Sequence, residues 1–174
     1  FLGQAYSLGA VAFEENEEQK AQIIDINKKV YAKNDEKIIE LYTTAKKWSL
    51  EYFEGLYKRL GVKYEKYYFE SEIAEHGKQT VIGHPNVFEK DNDAYIFRGE
   101  KYGLHTRVFV NNQGNPTYEA KDLGLAFAKE KDFPMAEKSI IMTANEQTEY
   151  FKVLIKALGE IDEKIAGKTQ HLSY

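Results

Sequence analysis

The fold of this chain is decided by the stretch Gly114-Asn115-Pro116-Thr117-Tyr118-Glu119-Ala120-Lys121-Asp122-Leu123-Gly124-Leu125. Gly114 can adopt a positive φ in a turn, and Pro116 fixes the backbone where a helix can begin. Thr117 is predicted to be the N-cap, with its hydroxyl accepting a hydrogen bond from the first helical turn. The buried face of the helix is predicted from small and apolar residues at three- and four-residue steps: Ala120, Leu123, Gly124 and Phe127.

Two polar side chains of this helix are candidates for chemistry. Tyr118 and Asp122 are four residues apart, so they are neighbours on one side of the helix, near the end where the macrodipole favours a carboxylate. A phenol beside a carboxylate is suited to bind a cation. The alternative is that Tyr118 is a packing residue, that Asp122 is solvated and that their spacing is due to chance.

Beyond this helix, the sequence predicts a strand–helix–strand unit over residues 139–174. The run Ser-Ile-Ile-Met-Thr at 139–143 is typical of a buried parallel strand, and residues 170–174 can form the next parallel strand. The intervening helix has a stripe formed by Tyr150 or Phe151, followed by Leu154, Leu158 and Ile161.

The end of the first of these strands is a candidate ligand site. Ligands of open α/β sheets gather at the carboxyl ends of the strands, where Asn145, Glu146 and Gln147 follow the apolar run. The alternative is that Asn145 caps the next helix and that Gln147 is simply exposed.

The N-terminal part of the chain, residues 1–84, is predicted to be mainly helical. Asn16 is expected to separate two helices, the second of which ends near Lys33. Asn34 is predicted to cap a long helix that ends at Gly61.

Two further elements are predicted before residue 114. The aromatic run at residues 63–70 favours a strand that leads into a helix capped by Ser71. Residues 85–113 alternate short apolar runs with turn residues, which predicts a small antiparallel sheet.

Composition argues against several kinds of site. The 174 residues carry a formal net charge of −4 with both signs interspersed, which argues against an extended surface for nucleic acid. Cysteine is absent, so the chain can form neither a disulfide nor a thiolate metal site. His76, His84 and His105 have neither zinc-ligand spacing nor a nearby acidic cluster, so no protein-bound metal is expected. No glycine-rich phosphate loop is present either. No apolar run approaches the roughly 20 residues of a membrane span.

Several runs of residues together indicate a family. The run Gly-x-Pro-Thr-Tyr-x-x-Lys-Asp-Leu at 114–123 lies between Gly-Leu-His-Thr-Arg-Val-Phe-Val at 103–110 and Ser-Ile-Ile-Met-Thr-Ala-Asn-Glu-Gln at 139–147. Phe-Leu-Gly-Gln-Ala-Tyr at 1–6 and Lys-Thr-Gln-His-Leu-Ser-Tyr at 168–174 extend the likeness to nearly the whole chain. These runs resemble the arginyl-tRNA synthetases.

This resemblance implies a fold and an organisation of the chain. The fold class would be mixed α/β, a partial class I synthetase nucleotide-binding (Rossmann-like) fold with N-terminal helices and a small inserted antiparallel sheet. Residues 1–84 would be a mainly helical connecting part, residues 85–113 the small sheet, and residues 114–174 part of the second half of the Rossmann-like fold. The resemblance also implies a cytoplasmic protein.

The resemblance further implies site residues and partners, but no catalytic residue. Tyr118, Asp122 and Gln147 match positions that hold substrate arginine in the family, and His171 matches a position near bound ATP. A planar guanidinium is best selected by a carboxylate supported by a phenol and an amide. Lys121 stands where many members have arginine, a departure that leaves the selecting carboxylate intact. The implied partners are L-arginine, tRNA(Arg), and ATP with Mg as its counter-ion.

Two signature motifs of class I synthetases, of the His-Ile-Gly-His and Lys-Met-Ser-Lys-Ser types, are absent from these residues. We therefore expect an internal fragment of a catalytic domain that is inactive alone, binds no cofactor tightly and has little affinity for nucleic acid. The alternative is a stand-alone, non-catalytic binding or interaction module. A glutamyl or cysteinyl enzyme is disfavoured, because Asp122 would repel an acidic substrate and because zinc-ligating cysteines are absent.

Overall fold

A computed structural model describes residues 1–174 and confirms the mixed α/β class. The helices are α1 (Leu2–Glu15), α2 (Glu17–Ala32), α3 (Glu36–Leu60), α4 (Glu70–Ile82), α5 (Tyr118–Asp132), α6 (Thr148–Ile161) and α7 (Glu163–Lys168). The strands are β1 (Glu89–Asp91), β2 (Ala94–Phe97), β3 (Arg107–Val110), β4 (Ser139–Thr143) and β5 (Thr169–Ser173). None of the helices combines the length and the apolar composition that crossing a bilayer requires. Contacts group the chain into two units, residues 1–67 and 68–174, and the finer division at residues 84 and 113 stays a prediction.

The first unit, residues 1–67, contains α1, α2 and α3. Asn16 separates α1 from α2 as predicted and caps α2, because its side-chain oxygen accepts a hydrogen bond from the first turn at 3.0 Å. The cap of α3 is Asp35 and not the predicted Asn34, since the Asp35 carboxylate accepts an N–H of the first turn at 3.2 Å. Gly61, in the left-handed region, ends α3 as predicted. None of the residues in these three helices is fully buried.

The strand predicted at residues 63–70 is wrong. The Tyr64 ring packs on the Tyr57 ring of α3 with 4.7 Å between centroids, and residues 63–70 belong to neither sheet. The predicted cap at Ser71 is also wrong. Phe69 holds the N-cap position of α4, and its carbonyl accepts N–H groups from the first turn.

The second unit, residues 68–174, is built on a close contact between α4 and α5. A Cβ added to Gly77 would lie 1.9 Å from the carbonyl oxygen of Ala120. A Cβ added to Gly124 would lie 2.8 Å from the backbone nitrogen of Gly77. The two backbones therefore touch directly, which only glycine permits at these positions. The predicted buried face of α5 is confirmed, with Phe127 partly buried at its margin.

The predicted antiparallel sheet is confirmed, with β2 between β1 and β3. Asn92 and Asp93 form the turn from β1 to β2, with positive φ values of 46° and 64°, as a tight hairpin connection requires. The buried rings of Phe88, Phe97 and Phe109 pack against one another, the closest pair having centroids 4.8 Å apart. They belong to the same apolar core as the inner faces of α5 and α6.

The predicted strand–helix–strand unit is also confirmed, since β4 and β5 pair in parallel with Ser139 opposite Thr169. The sequence missed the short helix α7 between α6 and β5, which Asp162 caps. β4 is not buried on both faces as predicted: Ile140 is 54% and Met142 64% exposed. Only the face of β4 that packs on α5 and α6 is covered, so its burial alternates along the strand.

We predict that Gly77→Ala destabilises the second unit, because the new methyl group forces α4 away from the Ala120 carbonyl. The loss should be about 3 kcal/mol or more, at the upper end of overpacking effects. Gly167→Ala is the matched control. This exposed helical glycine of the same unit has no atom within 4 Å of the added Cβ, so stability should stay equal or rise by up to about 1 kcal/mol. Thermal and urea unfolding measure both changes, and equal effects of the two substitutions would contradict the backbone contact.

Candidate functional site

The start of α5 is fixed to the sheet by Thr117. Its N–H donates to the Phe109 carbonyl at 2.9 Å, and its hydroxyl lies 2.8 Å from the Val108 carbonyl and 3.0 Å from that of Phe109. Thr117 is the N-cap residue as predicted, but its hydroxyl does not cap the helix, because it donates to β3 instead. Gly114, with φ 76°, forms the turn that returns the chain from β3. The first turn of α5 is therefore held rigidly against a strand.

Asp122 lies one turn further along α5 and is partly buried. The Tyr150 hydroxyl of α6 donates a hydrogen bond of 2.6 Å to Oδ2 of Asp122. Burial raises the pKa of the Asp122 carboxyl, and the hydrogen bond from Tyr150 opposes part of that rise. Burial and the neighbouring carboxylate also raise the pKa of Tyr150, so its phenol stays protonated.

Two more charged side chains lie beside this pair. The Arg107 guanidinium of β3 is 5.2 Å from the centre of the Tyr150 ring and donates to Glu119 at 3.0 Å. We call Arg107, Glu119, Asp122 and Tyr150 the Tyr150 cluster. Within it, Glu119 has a cationic partner, whereas the hydrogen-bond partner of Asp122 is a neutral phenol.

Tyr118, the predicted neighbour of Asp122, lies at the surface and is 69% exposed. The ammonium group of Lys121 lies 5.0 Å from the centre of its ring and also pairs with Glu70 at 2.7 Å. The tyrosine that donates a hydrogen bond to Asp122 is thus Tyr150 and not Tyr118. The arginine-binding role of Tyr118 stays a prediction.

The carboxyl end of β4 leads into a 3-10 turn, Asn145–Gln147, before α6. All three side chains of this turn are exposed, including Gln147. Neither Asn145 nor Gln147 caps α6 with its side chain, so helix capping does not account for these residues. Gln147 sits at the strand end where a ligand of a parallel sheet is expected.

His171 is the central residue of β5 and lies opposite Ile141 of β4. Its Nε2 is 2.8 Å from the Thr143 hydroxyl, and its ring stacks on Phe151 with 4.4 Å between centroids and an angle of 19°. Phe151 and Tyr150 are adjacent in α6, so the stacked histidine and the Tyr150 cluster are positioned by the same helical turn.

A cavity of about 60 Å³ separates α5, α6 and β4, and Asp122 and Lys129 both line it. This space accommodates a water-sized group and not an amino acid. Burial lowers the pKa of Lys129, whose ammonium donates to the Ser139 hydroxyl at 3.2 Å. Within residues 1–174, no three His, Asp or Glu side chains are grouped closely enough to hold a metal ion. An amino acid that contacts Asp122 would have to approach from outside this cavity, because the cavity is too small to hold it.

Sequence reasoning missed Tyr150, Arg107 and Glu119 as members of one cluster. A signal was present, because Tyr150 and Phe151 are adjacent and a helix can direct only one of two successive side chains into the core. Phe151 is buried, and Tyr150 is left with its hydroxyl beside Asp122.

Comparison with known proteins gives relatives of one kind. No family model matches the chain. It is 30% identical over 149 residues to an arginine–tRNA ligase of Porphyromonas gingivalis, covering 84% of this chain and 25% of the relative. It is 33% identical over 140 residues to an arginine–tRNA ligase of Flavobacterium psychrophilum, covering 79% of this chain and 23% of the relative. A crystal structure of arginyl-tRNA synthetase from Plasmodium falciparum superposes with a TM-score of 0.73 at 17% identity, over 91% of this chain and 28% of that one. The chain thus spans about a quarter of the length of the curated relatives it matches.

We predict that Asp122→Asn becomes more stable relative to wild type as the pH rises. The folded-state pKa of Asp122 is raised, so the cost of burying its charge is absent below the ordinary pKa and is fully present above the folded one. The melting temperature of the variant minus that of wild type should therefore be larger at about pH 7 than at about pH 3.

Asp93→Asn serves as the control, because Lys90 lowers the pKa of that exposed carboxyl. It should show no such gain as the pH rises, since the charged form of Asp93 is favoured in the folded state. A melting-temperature difference for Asp122→Asn that shrinks toward neutral pH would contradict the burial of an ionised carboxylate.

Proposed function

We propose that this chain, which is related to a segment of the arginyl-tRNA synthetases, is the arginine-selecting part of an arginine–tRNA ligase. Such an enzyme activates L-arginine with ATP and transfers it to tRNA(Arg) in translation. The relatives carry the name arginine–tRNA ligase, and the similarity covers the helix and the strand end where we place the substrate.

One observation carries the proposal: Asp122 is the carboxylate of this site whose hydrogen-bond partner has no charge. Glu119 pairs with Arg107 at 3.0 Å, and Glu70, on the neighbouring helix, pairs with Lys121 at 2.7 Å. A partly buried carboxylate with no cation bonded directly to it is costly, and a bound guanidinium would supply such a partner through charge-assisted hydrogen bonds. Arginine satisfies this need better than lysine, because its planar guanidinium presents several donors in fixed directions and is more weakly hydrated than an ammonium group.

Tyr118 and Gln147 complete the proposed arginine site. Both side chains are exposed, one at the first turn of α5 and the other at the end of β4. A phenol and an amide can contact the substrate beside the carboxylate without introducing a competing charge. In this proposal, Asp122 selects the guanidinium and the other two residues orient the molecule.

The chemistry follows from placing arginine against ATP. The substrate carboxylate attacks the α-phosphorus and pyrophosphate leaves. A hydroxyl at the 3′ end of the tRNA then attacks the carbonyl carbon of the aminoacyl adenylate, arginine passes to the tRNA and AMP leaves, with no covalent bond to the protein. We place ATP near His171, whose ring stacks on Phe151 and whose Nε2 lies beside the hydroxyl of Thr143, the last residue of β4. The contribution of these residues is positioning, which can supply a large part of the rate enhancement.

We propose that the 174 residues alone do not activate arginine. They hold neither class I signature motif, and their net charge of −4 offers no broad cationic surface for tRNA. ATP–pyrophosphate exchange dependent on arginine should therefore be undetectable with the isolated chain. Exchange at the rate of a complete synthetase would refute this part of the proposal.

The central prediction concerns Asp122→Asn in the complete natural protein that contains these residues. Arginine-dependent charging of total tRNA should fall by about 100-fold or more in kcat/KM, because removing one partner of a partly buried charge pair costs about 3 kcal/mol or more. Asp93→Asn makes the same chemical change at an exposed turn and should leave charging unchanged.

Two results would reject this assignment. Normal arginine kinetics in the Asp122→Asn variant would remove Asp122 from the site. Absence of any arginine charging by the wild-type complete protein would favour a non-catalytic binding module that shares only the fold.

A further inference from the structure

We infer that Tyr150 is a positioning residue for the Asp122 carboxylate, which it holds by one oxygen so that the other faces the substrate guanidinium. This inference rests on the proposed function and adds a residue that the arginine-binding set of Tyr118, Asp122 and Gln147 does not include. Tyr150 belongs to α6 and Asp122 to α5, so the hydrogen bond also ties the two helices that form the site.

The hydrogen bond leaves the two oxygens of Asp122 in different situations. Oδ2 accepts the Tyr150 hydroxyl at 2.6 Å. Among residues 1–174, the one buried side-chain nitrogen or oxygen without a partner is Nε of Arg107. Oδ1 of Asp122 accepts no hydrogen bond from the protein and is not fully buried, so it is the oxygen that remains for a ligand.

The Tyr150 ring is itself fixed from two sides. The Arg107 guanidinium lies 5.2 Å from its centre, and Glu119 holds that guanidinium through a hydrogen bond of 3.0 Å. The Phe151 ring meets it edge-on with 4.9 Å between centroids. A tyrosine held by a cation and by a buried ring loses little further freedom when it fixes the carboxylate, which is the basis of preorganisation.

Charged and titratable groups face Asp122 from every packed element. Tyr150 of α6 and Lys129 of α5 favour its ionised form, whereas Glu119 of α5 and Glu70 of α4 disfavour it, and burial disfavours it most. Arg107 of β3 neutralises Glu119, and Lys121 neutralises Glu70. The Tyr150 hydroxyl thus donates the direct hydrogen bond that favours the ionised form of Asp122, whereas burial favours the protonated form.

The first arm of the test uses the 174-residue chain and needs no enzymatic activity. The ¹³C carboxyl signal of Asp122 is titrated in wild type, Tyr150→Phe and Tyr118→Phe. Removing the Tyr150 hydroxyl should move the titration of Asp122 to higher pH, whereas removing the exposed Tyr118 hydroxyl should leave it unchanged. An unchanged titration in Tyr150→Phe overturns the inference.

The wild-type chain offers a second measurement that does not depend on the folding of Tyr150→Phe. The ¹³Cζ signal of Tyr150 should report the titration of Asp122 in wild type and should lose that inflection in Asp122→Asn. A Tyr150 signal that ignores the Asp122 titration would likewise overturn the inference.

The second arm uses the complete natural protein and measures arginine kinetics against pH. Tyr150→Phe should raise the KM for arginine about 10-fold at neutral pH, the effect expected for one hydrogen bond to a charged group, with a smaller change in kcat. The pH at which KM improves should also move upward. If the wild-type protein charges arginine normally and the pH profile of Tyr150→Phe equals that of wild type, the role of Tyr150 is refuted and the proposed function is not. If the Asp122 titration shifts but the wild-type protein charges no arginine, the proposed function fails and the positioning contact stands.

Discussion

The second unit of this protein depends on a contact between two helix backbones. Gly77 and Gly124 allow α4 and α5 to approach until an added Cβ would overlap a carbonyl group. This approach fixes the rotation of α5 about its own axis, and Thr117 fixes its first turn against β3. With both constraints in place, the face of α5 opposite α4 presents Asp122 to α6. The candidate site is thus a consequence of how closely two small residues let two helices pack.

The same arrangement places a destabilising carboxylate, that of Asp122, at the candidate site. A carboxylate at the margin of an apolar core raises the free energy of the folded state, and the neutral Tyr150 hydroxyl compensates for only part of that cost. Selection for stability alone would not favour a carboxylate at position 122. A site that binds a cation benefits from such a carboxylate, because the ligand recovers the interaction that the fold leaves unsatisfied.

The elements with strong local signals were predictable from the sequence. Gly61 ended a helix, Asn16 separated two, the apolar run at 139–143 formed a parallel strand, and residues 85–113 contained the antiparallel sheet. The failures arose where tertiary contacts outweighed local preference. The aromatic run at 63–70 suggested a strand, but its Tyr64 ring packs on α3. The Thr117 hydroxyl suited a cap but donates to a strand carbonyl. The Tyr150 cluster joins residues up to 43 positions apart, which no periodic pattern can reveal.

The proposed arginine site requires Asp122 to select the positive charge of a guanidinium. The most direct test compares L-arginine with L-citrulline, which has nearly the same shape but carries a neutral urea group, as ligands of the complete natural protein by titration calorimetry. The account predicts that citrulline binds about 100-fold more weakly than arginine, because only arginine supplies a charge to Asp122. Equal affinities for the two ligands would contradict it.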